Sequence, residues 1–303
     1  MMDSENKIQT IDLPDEIKLS DDKQEKNHNK TKSKKRRQKL IYNICMILFA
    51  SIFVGCLIYL ISYFWQSKKS EDKVADLKDL IIETNTESIT EEDGSPVIID
   101  AVDFVDINGV SVQTKFADIY KLNSDFRGWI TISGTDIDYP VMQTMEDEEF
   151  YIHKDFDKEY SSAGTLFVDT ESSLTEPSDN IVIYGHNMKT GKMFHDLLEY
   201  ESEDFYKEHK FIRFDTIYEN GTYEVIAAYR TEIYPVDYTG FKYYQFFNAA
   251  NEEEFNNFVE NSKALTYYDI PVSAEYGDTL LTLSTCAYHT DEGRFVVVAK
   301  KIN

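Results

Sequence analysis

The stretch Thr279–Lys300, TLLTLSTCAYHTDEGRFVVVAK, contains two β-prone runs on either side of a polar turn. The first run ends immediately before Cys286, and the second begins with Arg294, eight residues later. Two antiparallel neighbouring strands joined by such a turn place the end of one strand beside the start of the other. The pattern therefore predicts that Cys286 and Arg294 lie at the same end of one sheet.

A third strand end carries a histidine: in IVIYGHN, residues 181–187, an apolar run stops at Gly185 and then presents His186. Many short strands with few helices predict a mainly β fold, a closed or nearly closed β-barrel decorated by helices. The other β-prone runs are residues 129–132, 137–142, 165–168, 211–214 and 222–230, and helical patterns occur at residues 74–81, 116–122, 192–200 and 252–265.

The charge of the chain is strongly segregated. The 303 residues carry a formal net charge of -24, yet residues 1–39 are net +3, residues 40–67 carry no charge, and residues 68–303 are net -27. The acidic balance argues against a nucleic-acid partner, because such a partner must have its phosphates neutralised. A hydrophobic fraction of 42% argues against a disordered chain.

Residues 40–65, LIYNICMILFASIFVGCLIYLISYFW, directly follow a cluster of lysines and arginines. A helix of roughly 20 residues crosses about 30 Å of hydrocarbon, so this stretch predicts a membrane span. The basic cluster places residues 1–39 in the cytoplasm by the positive-inside rule. We therefore expect a cytoplasmic tail (1–39), a transmembrane helix (40–66), an external stem with a linker (67–112) and an external domain (113–303). The alternatives are a cleaved signal peptide and a buried core helix.

The external part contains a single thiol, Cys286, because Cys45 and Cys56 fall within the predicted span. A thiolate attacks carbonyl carbon, a nearby imidazolium stabilises it and protonates the leaving amine, and a fixed guanidinium stabilises the oxyanion. Cys286, His186 and Arg294 together therefore indicate acyl transfer. Each residue also has a purely structural interpretation. In that interpretation Cys286 fills space in the core, His186 is a structural histidine with its hydrogen bonds satisfied, and Arg294 is a solvated charge at the barrel rim.

The remaining histidines, His153, His195, His209 and His289, show no metal-ligand spacing, so we expect surface or packing roles and no metal or cofactor. His289 is three residues from Cys286, but it lies in the turn, whereas His186 follows a strand end. This position favours His186 as the acid and base.

At these residues the sequence resembles the sortase family. Thr282-Leu283-Ser284-Thr285-Cys286 matches the TLxTC signature of that family, and the Gly185-His186 strand end and the Arg294 strand start match in order and approximate spacing. The resemblance covers residues 113–303 and is strongest to class B, in the early strands around residues 128–141 and in the helical insertion near residues 246–266. The chain lacks the Asp-Pro dipeptide of the class C lid.

The resemblance implies a closed β-barrel of about eight strands, with N-terminal helices and a helical insertion before the Cys286 strand. It also implies a membrane-anchored cysteine transpeptidase at the cell surface, facing the cell wall. Cys286 would form a thioester with the C-terminal sorting signal of a secreted protein, with His186 as acid and base and Arg294 binding the substrate backbone and oxyanion. An amine of lipid II or of the peptidoglycan cross-bridge would then accept the acyl group. Ser284, Thr285 and Asn187, which adjoin the nucleophile or the base, are the candidates for lining the substrate groove. Asp291 and Glu292 are interpreted as a solvated acidic turn.

Three other functions stay open. A cysteine peptidase would use the same residues and transfer the acyl group to water. A peptidoglycan L,D-transpeptidase also uses His and Cys, but those lie close in sequence, whereas His186 and Cys286 are 100 residues apart. A non-catalytic, acidic surface interaction domain is the alternative outside enzymes.

Overall fold

The computed structural model describes residues 15–81, 87–90, 96–99, 102–288 and 290–303. The chain divides into two compact units, residues 1–65 and 66–303. The first described element is the helix α1, Asp15–Asp79, and the predicted span lies within it. Its segment Lys30–Asp79 contains a window of mean hydropathy 2.8 with no buried residue, so in length and composition it is a candidate membrane span.

Two short hairpins precede the main domain. They are formed by β1 (Glu87–Thr90) with β2 (Pro96–Ile99), and by β3 (Phe104–Ile107) with β4 (Val110–Gln113). The predicted linker, residues 83–96, lies partly outside the described residues, and its described part includes β1. A 3₁₀ turn, Thr114–Phe116, then leads into α2, Ala117–Leu122.

The α2 helix buries Ile119 and Tyr120 as its pattern predicts. Leu122, the apolar residue at the end of the predicted helical pattern 116–122, is 59% exposed. It is the last residue of this six-residue helix, so the helix ends before its apolar face is complete.

Eight strands close into a barrel, which confirms the predicted fold class. The strands are β5 (Phe126–Thr131), β6 (Asp138–Met142), β7 (Leu166–Val168), β8 (Asn180–Gly185), β9 (Phe211–Thr216), β10 (Thr222–Glu232), β11 (Leu280–Cys286) and β12 (Gly293–Lys301). Neighbours around the barrel follow the order β10-β12-β11-β8-β7-β6-β5-β9, and the pairs β6–β7 and β8–β11 are parallel.

The helical segments lie between the barrel strands. The predicted helix at residues 192–200 is a 3₁₀ segment, His195–Glu201, followed by a short helix α3, Glu203–Glu208. The predicted insertion helix is present as α4, Glu252–Leu265. The other 3₁₀ turns are Phe150–His153 and Tyr243–Gln245.

The barrel strand β11 is buried on both faces. Its Leu281 and Leu283 belong to the core inside the barrel, while Leu280 packs in a second core with Phe255 and Phe258 of α4. Burial on both faces explains why this strand reads as a continuous β-prone run rather than as an alternating one. The insertion helix thus packs on the outer face of the barrel, chiefly against β10, in the same core that contains Leu280.

Candidate active site

Strand register brings the three predicted residues to one end of the barrel. Cys286 is the cross-strand partner of Arg294 in the antiparallel pair β11–β12. Thr285 is the partner of Gly185 in the parallel pair β8–β11, and Cys286 and His186 are the residues that follow those two. The Cys286 strand therefore lies between the strand that presents His186 and the strand that presents Arg294.

A cavity of about 430 Å³ opens at this end of the barrel. Five of the six predicted site residues line it, namely Cys286, His186, Arg294, Ser284 and Thr285. The loops and neighbouring strands supply the rest of its wall: Glu148, Glu149, Ile152, Thr165, Phe167, Tyr184, Gly185, Ile233, Tyr244 and Glu292. Asn187 is not a lining residue; its side-chain amide donates to the Cys286 carbonyl oxygen at 2.9 Å.

His186 is held by the 3₁₀ turn Phe150–His153. Its Nε2 lies 2.8 Å from the carbonyl oxygen of Ile152. A carbonyl oxygen only accepts, so Nε2 carries the proton and Nδ1 is the accepting nitrogen of the neutral ring. The ring of His153 stacks on His186 with 5.5 Å between centroids and 24° between planes. The turn thus fixes both the tautomer and the plane of the imidazole.

Burial lowers the pKa of His186 below its ordinary value, because desolvation disfavours the imidazolium. The hydrogen bond to the Ile152 carbonyl opposes this shift, and the charge of His153 reinforces it. A neutral imidazole at neutral pH is suited to accepting a proton, and its imidazolium form gives the proton up readily.

Cys286 is half-buried, and its thiol is not in a disulfide. The two preceding hydroxyl groups are engaged within the protein: Thr285 donates to the Gly185 carbonyl at 2.7 Å, and Ser284 lies 2.7 Å from the Tyr243 hydroxyl. Burial, the largest influence, raises the pKa of Tyr243 to about 12, so that hydroxyl keeps its proton. These bonds fix the strand on which the thiol is carried.

Arg294 is positioned by its own turn. One guanidinium nitrogen donates to the Gly293 carbonyl at 3.0 Å, and another lies 3.5 Å from the Glu292 carboxylate. The side chain keeps 23% of its surface exposed, so further N–H donors can reach a ligand in the cavity. Glu292 lines the cavity as a partner of Arg294, whereas Asp291 is exposed and is not a lining residue.

Two loop residues that the sequence patterns did not indicate, Glu148 and Glu149, also line the cavity. Glu148 has its pKa raised, first by burial and then by the charge of Asp169. Asp169 itself accepts a hydrogen bond from the Tyr184 hydroxyl at 2.9 Å. Glu148 and Glu149 lie outside the barrel strands, and no motif spacing relates them to Cys286.

The structure gives roles to three of the other histidines. His153 stacks on His186, His195 Nδ1 lies 2.8 Å from the Asn187 side-chain oxygen, and His209 Nδ1 lies 2.8 Å from the Ser133 carbonyl. His289 lies outside the described residues. Among the described residues, no group of three His, Cys, Asp or Glu side chains has the geometry for a metal ion.

Comparisons with known proteins identify a family for this chain. The family model for the sortase domain matches residues 130–302. Sortase B of Staphylococcus aureus is 33% identical over 193 residues, which are 63% of this chain and 76% of that protein. Sortase B of Listeria monocytogenes is 34% identical over 198 residues, 65% of this chain and 77% of that protein.

Solved structures give the same result. The Staphylococcus aureus sortase B–substrate complex matches with a TM-score of 0.57 and 33% identity, over 63% of this chain and 86% of that one. A sortase B complexed with triglycine matches with a TM-score of 0.56 and 33% identity, over 62% and 86%. At 24% identity, a Bacillus anthracis sortase B supports the fold alone, with a TM-score of 0.62 over 79% of this chain and 99% of that one.

Proposed function

This chain belongs to the sortase family, in class B, and from that premise we propose that Cys286, His186 and Arg294 make it a cysteine transpeptidase. The observation that carries the proposal is the strand register, which sets Cys286 opposite Arg294 and one residue beyond the Thr285–Gly185 pair. Membership of the family implies acyl transfer by a cysteine, and the strand register supports Cys286, His186 and Arg294 as the residues that perform it.

In the first half-reaction, the Cys286 sulfur attacks the scissile carbonyl of a sorting-signal peptide and an S–C bond forms. The oxyanion of the tetrahedral intermediate is stabilised by N–H donors of Arg294. His186, protonated by the thiol, passes that proton to the leaving amine as the C–N bond breaks. The products of this half are a thioester on Cys286 and the released C-terminal peptide.

In the second half-reaction, a primary amine attacks the thioester carbonyl and gives a proton to His186. The C–S bond breaks, a new amide forms, and the thiolate and imidazolium are restored. The neutral Nδ1 of His186 is suited to accepting this proton.

The substrates follow from the relatives. One related sortase B has been solved with its substrate, and another has been solved with triglycine. By similarity we infer that this chain takes the sorting signal of a secreted protein and an amine acceptor. The acceptor would be an amine of lipid II or of the peptidoglycan cross-bridge.

The location is part of the same proposal. The uncharged segment within α1 would hold the chain in the cell membrane, with residues 1–39 in the cytoplasm and the barrel outside, facing the cell wall. The basic cluster before the span supports this orientation.

The test uses the full chain in detergent micelles with two quenched peptides, one carrying an NPQTN-like and one an LPxTG-like signal. We expect cleavage of at least one peptide and, with triglycine present, a ligated product in place of the hydrolysed one. Cys286→Ala is the matched control, because it removes only the sulfur from a half-buried position. Hydrolysis that triglycine leaves unchanged would identify a peptidase, and equal turnover by Cys286→Ala would contradict the proposal.

A further inference from the structure

A chain of two hydrogen bonds runs from His195 through Asn187 to the main chain of Cys286. Asn187 Nδ2 donates to the Cys286 carbonyl oxygen at 2.9 Å, and Asn187 Oδ1 lies 2.8 Å from His195 Nδ1. Asn187 is 7% exposed, so water competes little for these bonds. Neither bond involves the thiol itself; they act on the peptide group of the residue that carries the thiol.

Chemistry fixes the direction of both bonds. The Cys286 carbonyl can only accept, so the nitrogen of the Asn187 amide must face it. The amide oxygen, which also only accepts, then faces His195, so Nδ1 of His195 must carry a proton. Reversing the amide would oppose two acceptors at Cys286 and two donors at His195 Nδ1–H. Both ends therefore favour the orientation in which Asn187 donates to Cys286.

The position of the bond explains its importance. The pairing of β8 with β11 ends at Gly185–Thr285, and β11 continues for one further residue, Cys286. Beyond that pair, the Asn187 side chain supplies a donor to the Cys286 carbonyl from the segment that follows β8. At Cys286, a hydrogen bond from the Asn187 side chain thus replaces the main-chain pairing between β8 and β11.

We propose that Asn187 is a positioning residue, which holds the Cys286 peptide group in place and is itself oriented by His195. This inference rests on the proposed acyl transfer by Cys286. A displacement of about 1 Å in a reacting group lowers turnover by roughly a hundredfold. Holding the carbonyl of Cys286 holds the direction of its Cα–Cβ bond, and hence the approach of sulfur to the substrate.

The kinetic test compares Asn187→Ala, His195→Ala and the double variant. We expect Asn187→Ala to lower kcat by roughly tenfold to a hundredfold, with KM changed less than about twofold, because alignment rather than binding is lost. We expect His195→Ala to lower kcat less than Asn187→Ala does, because Asn187 can still donate to the Cys286 carbonyl. The double variant should match Asn187→Ala alone, because residues in one hydrogen-bond chain do not act additively. Losses that multiply in the double variant would overturn the proposal.

His195→Gln separates positioning from proton transfer. A glutamine amide can donate to Asn187 Oδ1 as the imidazole does, so we expect this variant to recover most of the activity that His195→Ala loses. Neutral and protonated His195 both donate from Nδ1, so the pH profile of kcat/KM should be the same in His195→Gln and in the unaltered chain. A lost or shifted limb in this variant would make His195 a proton-transfer group and refute the positioning role.

The matched control is Asn180→Ala, at the other end of the same strand pair. Asn180 also bridges with two hydrogen bonds, donating to the Phe246 carbonyl at 2.8 Å and accepting from Thr282 at 2.7 Å. We expect Asn180→Ala to lower Tm and leave kcat unchanged at a temperature well below that Tm. A loss of kcat in Asn180→Ala equal to that in Asn187→Ala would reduce Asn187 to general support of the strand pair.

A measurement without substrate keeps this inference separate from the proposed function. In a long-range ¹H–¹⁵N spectrum of the full chain in micelles, labelled at histidine nitrogen, His195 should show the Nδ1–H tautomer, and Asn187→Ala should remove that preference. An Nε2–H tautomer in the unaltered chain would refute the hydrogen-bond chain. Absence of peptide turnover with the expected tautomer present would refute the proposed function instead.

Discussion

The His186 imidazole lies between a carbonyl that binds Nε2 and a second histidine that covers its ring. Because burial lowers its pKa, we expect His186 to titrate below the ordinary value of about 6.5. The neutral form then persists as the pH falls, and it is lost only below the lowered pKa. An NMR titration of the His186 ring checks this, and a midpoint above the ordinary value would contradict it.

His153→Gln is the companion variant for that titration. His153 carries a like charge when protonated, and this charge lowers the pKa of His186. Removing it should move the midpoint of His186 upward, while the Ile152 carbonyl still fixes the tautomer. The size of the movement reports how much of the shift comes from the neighbouring ring and how much from burial.

Arg294 is predicted to act through the geometry of its donors as well as through its charge. Arg294→Ala should lower kcat by about 10²–10³, the usual effect of deleting an oxyanion donor. Arg294→Lys should restore only part of this loss, because an ammonium group cannot reproduce a planar fork of donors. Circular dichroism should stay native in both variants, since the side chain is a partly exposed rim group. Full activity in Arg294→Lys would show that charge alone suffices.

The strand-end residues of the site could be predicted from sequence, but its loop residues could not. Cys286, His186 and Arg294 each stand where a β-prone run starts or stops, and the closed barrel brings those ends together. Glu148 and Glu149 enter the cavity from a loop whose path depends on tertiary packing. The role of Asn187 could not be inferred either, because a hydrogen bond across 99 positions leaves no local pattern.

Gly185 shows how closely the end of β8 is packed. A Cβ at this position would lie 2.3 Å from Leu166 Cδ2 and 2.7 Å from Phe194 Cδ2. Gly185→Ala should therefore lower the free energy of unfolding by about 1–3 kcal/mol through overpacking. It should also lower kcat, because His186 is the next residue. Denaturant unfolding and peptide turnover measure the two effects, and an unchanged kcat would show that the strand end moves independently of His186.

The N-terminus of α4 offers a prediction about stability alone. The Asn251 side chain accepts a hydrogen bond from the Glu254 amide at 3.1 Å and so caps the helix. Asn251→Ala should lower the free energy of unfolding by about 1 kcal/mol. Asn257→Ala, the same substitution at an exposed position inside the helix, should raise stability slightly because alanine has the higher helix propensity. Denaturant titration distinguishes the two signs, and kcat should stay constant in both.

The elements differ in how far local sequence determines them. The pattern of α4 is amphipathic over 14 residues and begins at a capping asparagine, and its bounds were predicted correctly. The segment at residues 192–200 has similar spacing but forms 3₁₀ structure from His195. Phe194 and Leu197 there are drawn into the core inside the barrel, so tertiary packing overrides the local preference.

The uneven charge of the chain leads to a prediction about its placement in the cell. Carbonate extraction should leave the full chain in the membrane fraction, because a helix of this length and hydropathy is retained by hydrocarbon. Protease added to intact protoplasts should digest epitopes in residues 113–303 and spare an epitope placed in residues 1–39. Protection of the barrel in this experiment would reverse the proposed orientation.

The order of strands around the barrel has a consequence for the timing of activity. β12 lies between β10 and β11 and follows all the other barrel strands in sequence, so the ring of strands cannot close before this segment has been synthesised. His186 and Cys286 meet across a separation of 100 residues, a long-range contact that forms slowly because its loop-closure entropy opposes it. In the proposed topology β12 is exported after the other barrel strands, so a partly exported chain lacks Arg294 beside Cys286. We expect such a chain to be inactive in acyl transfer.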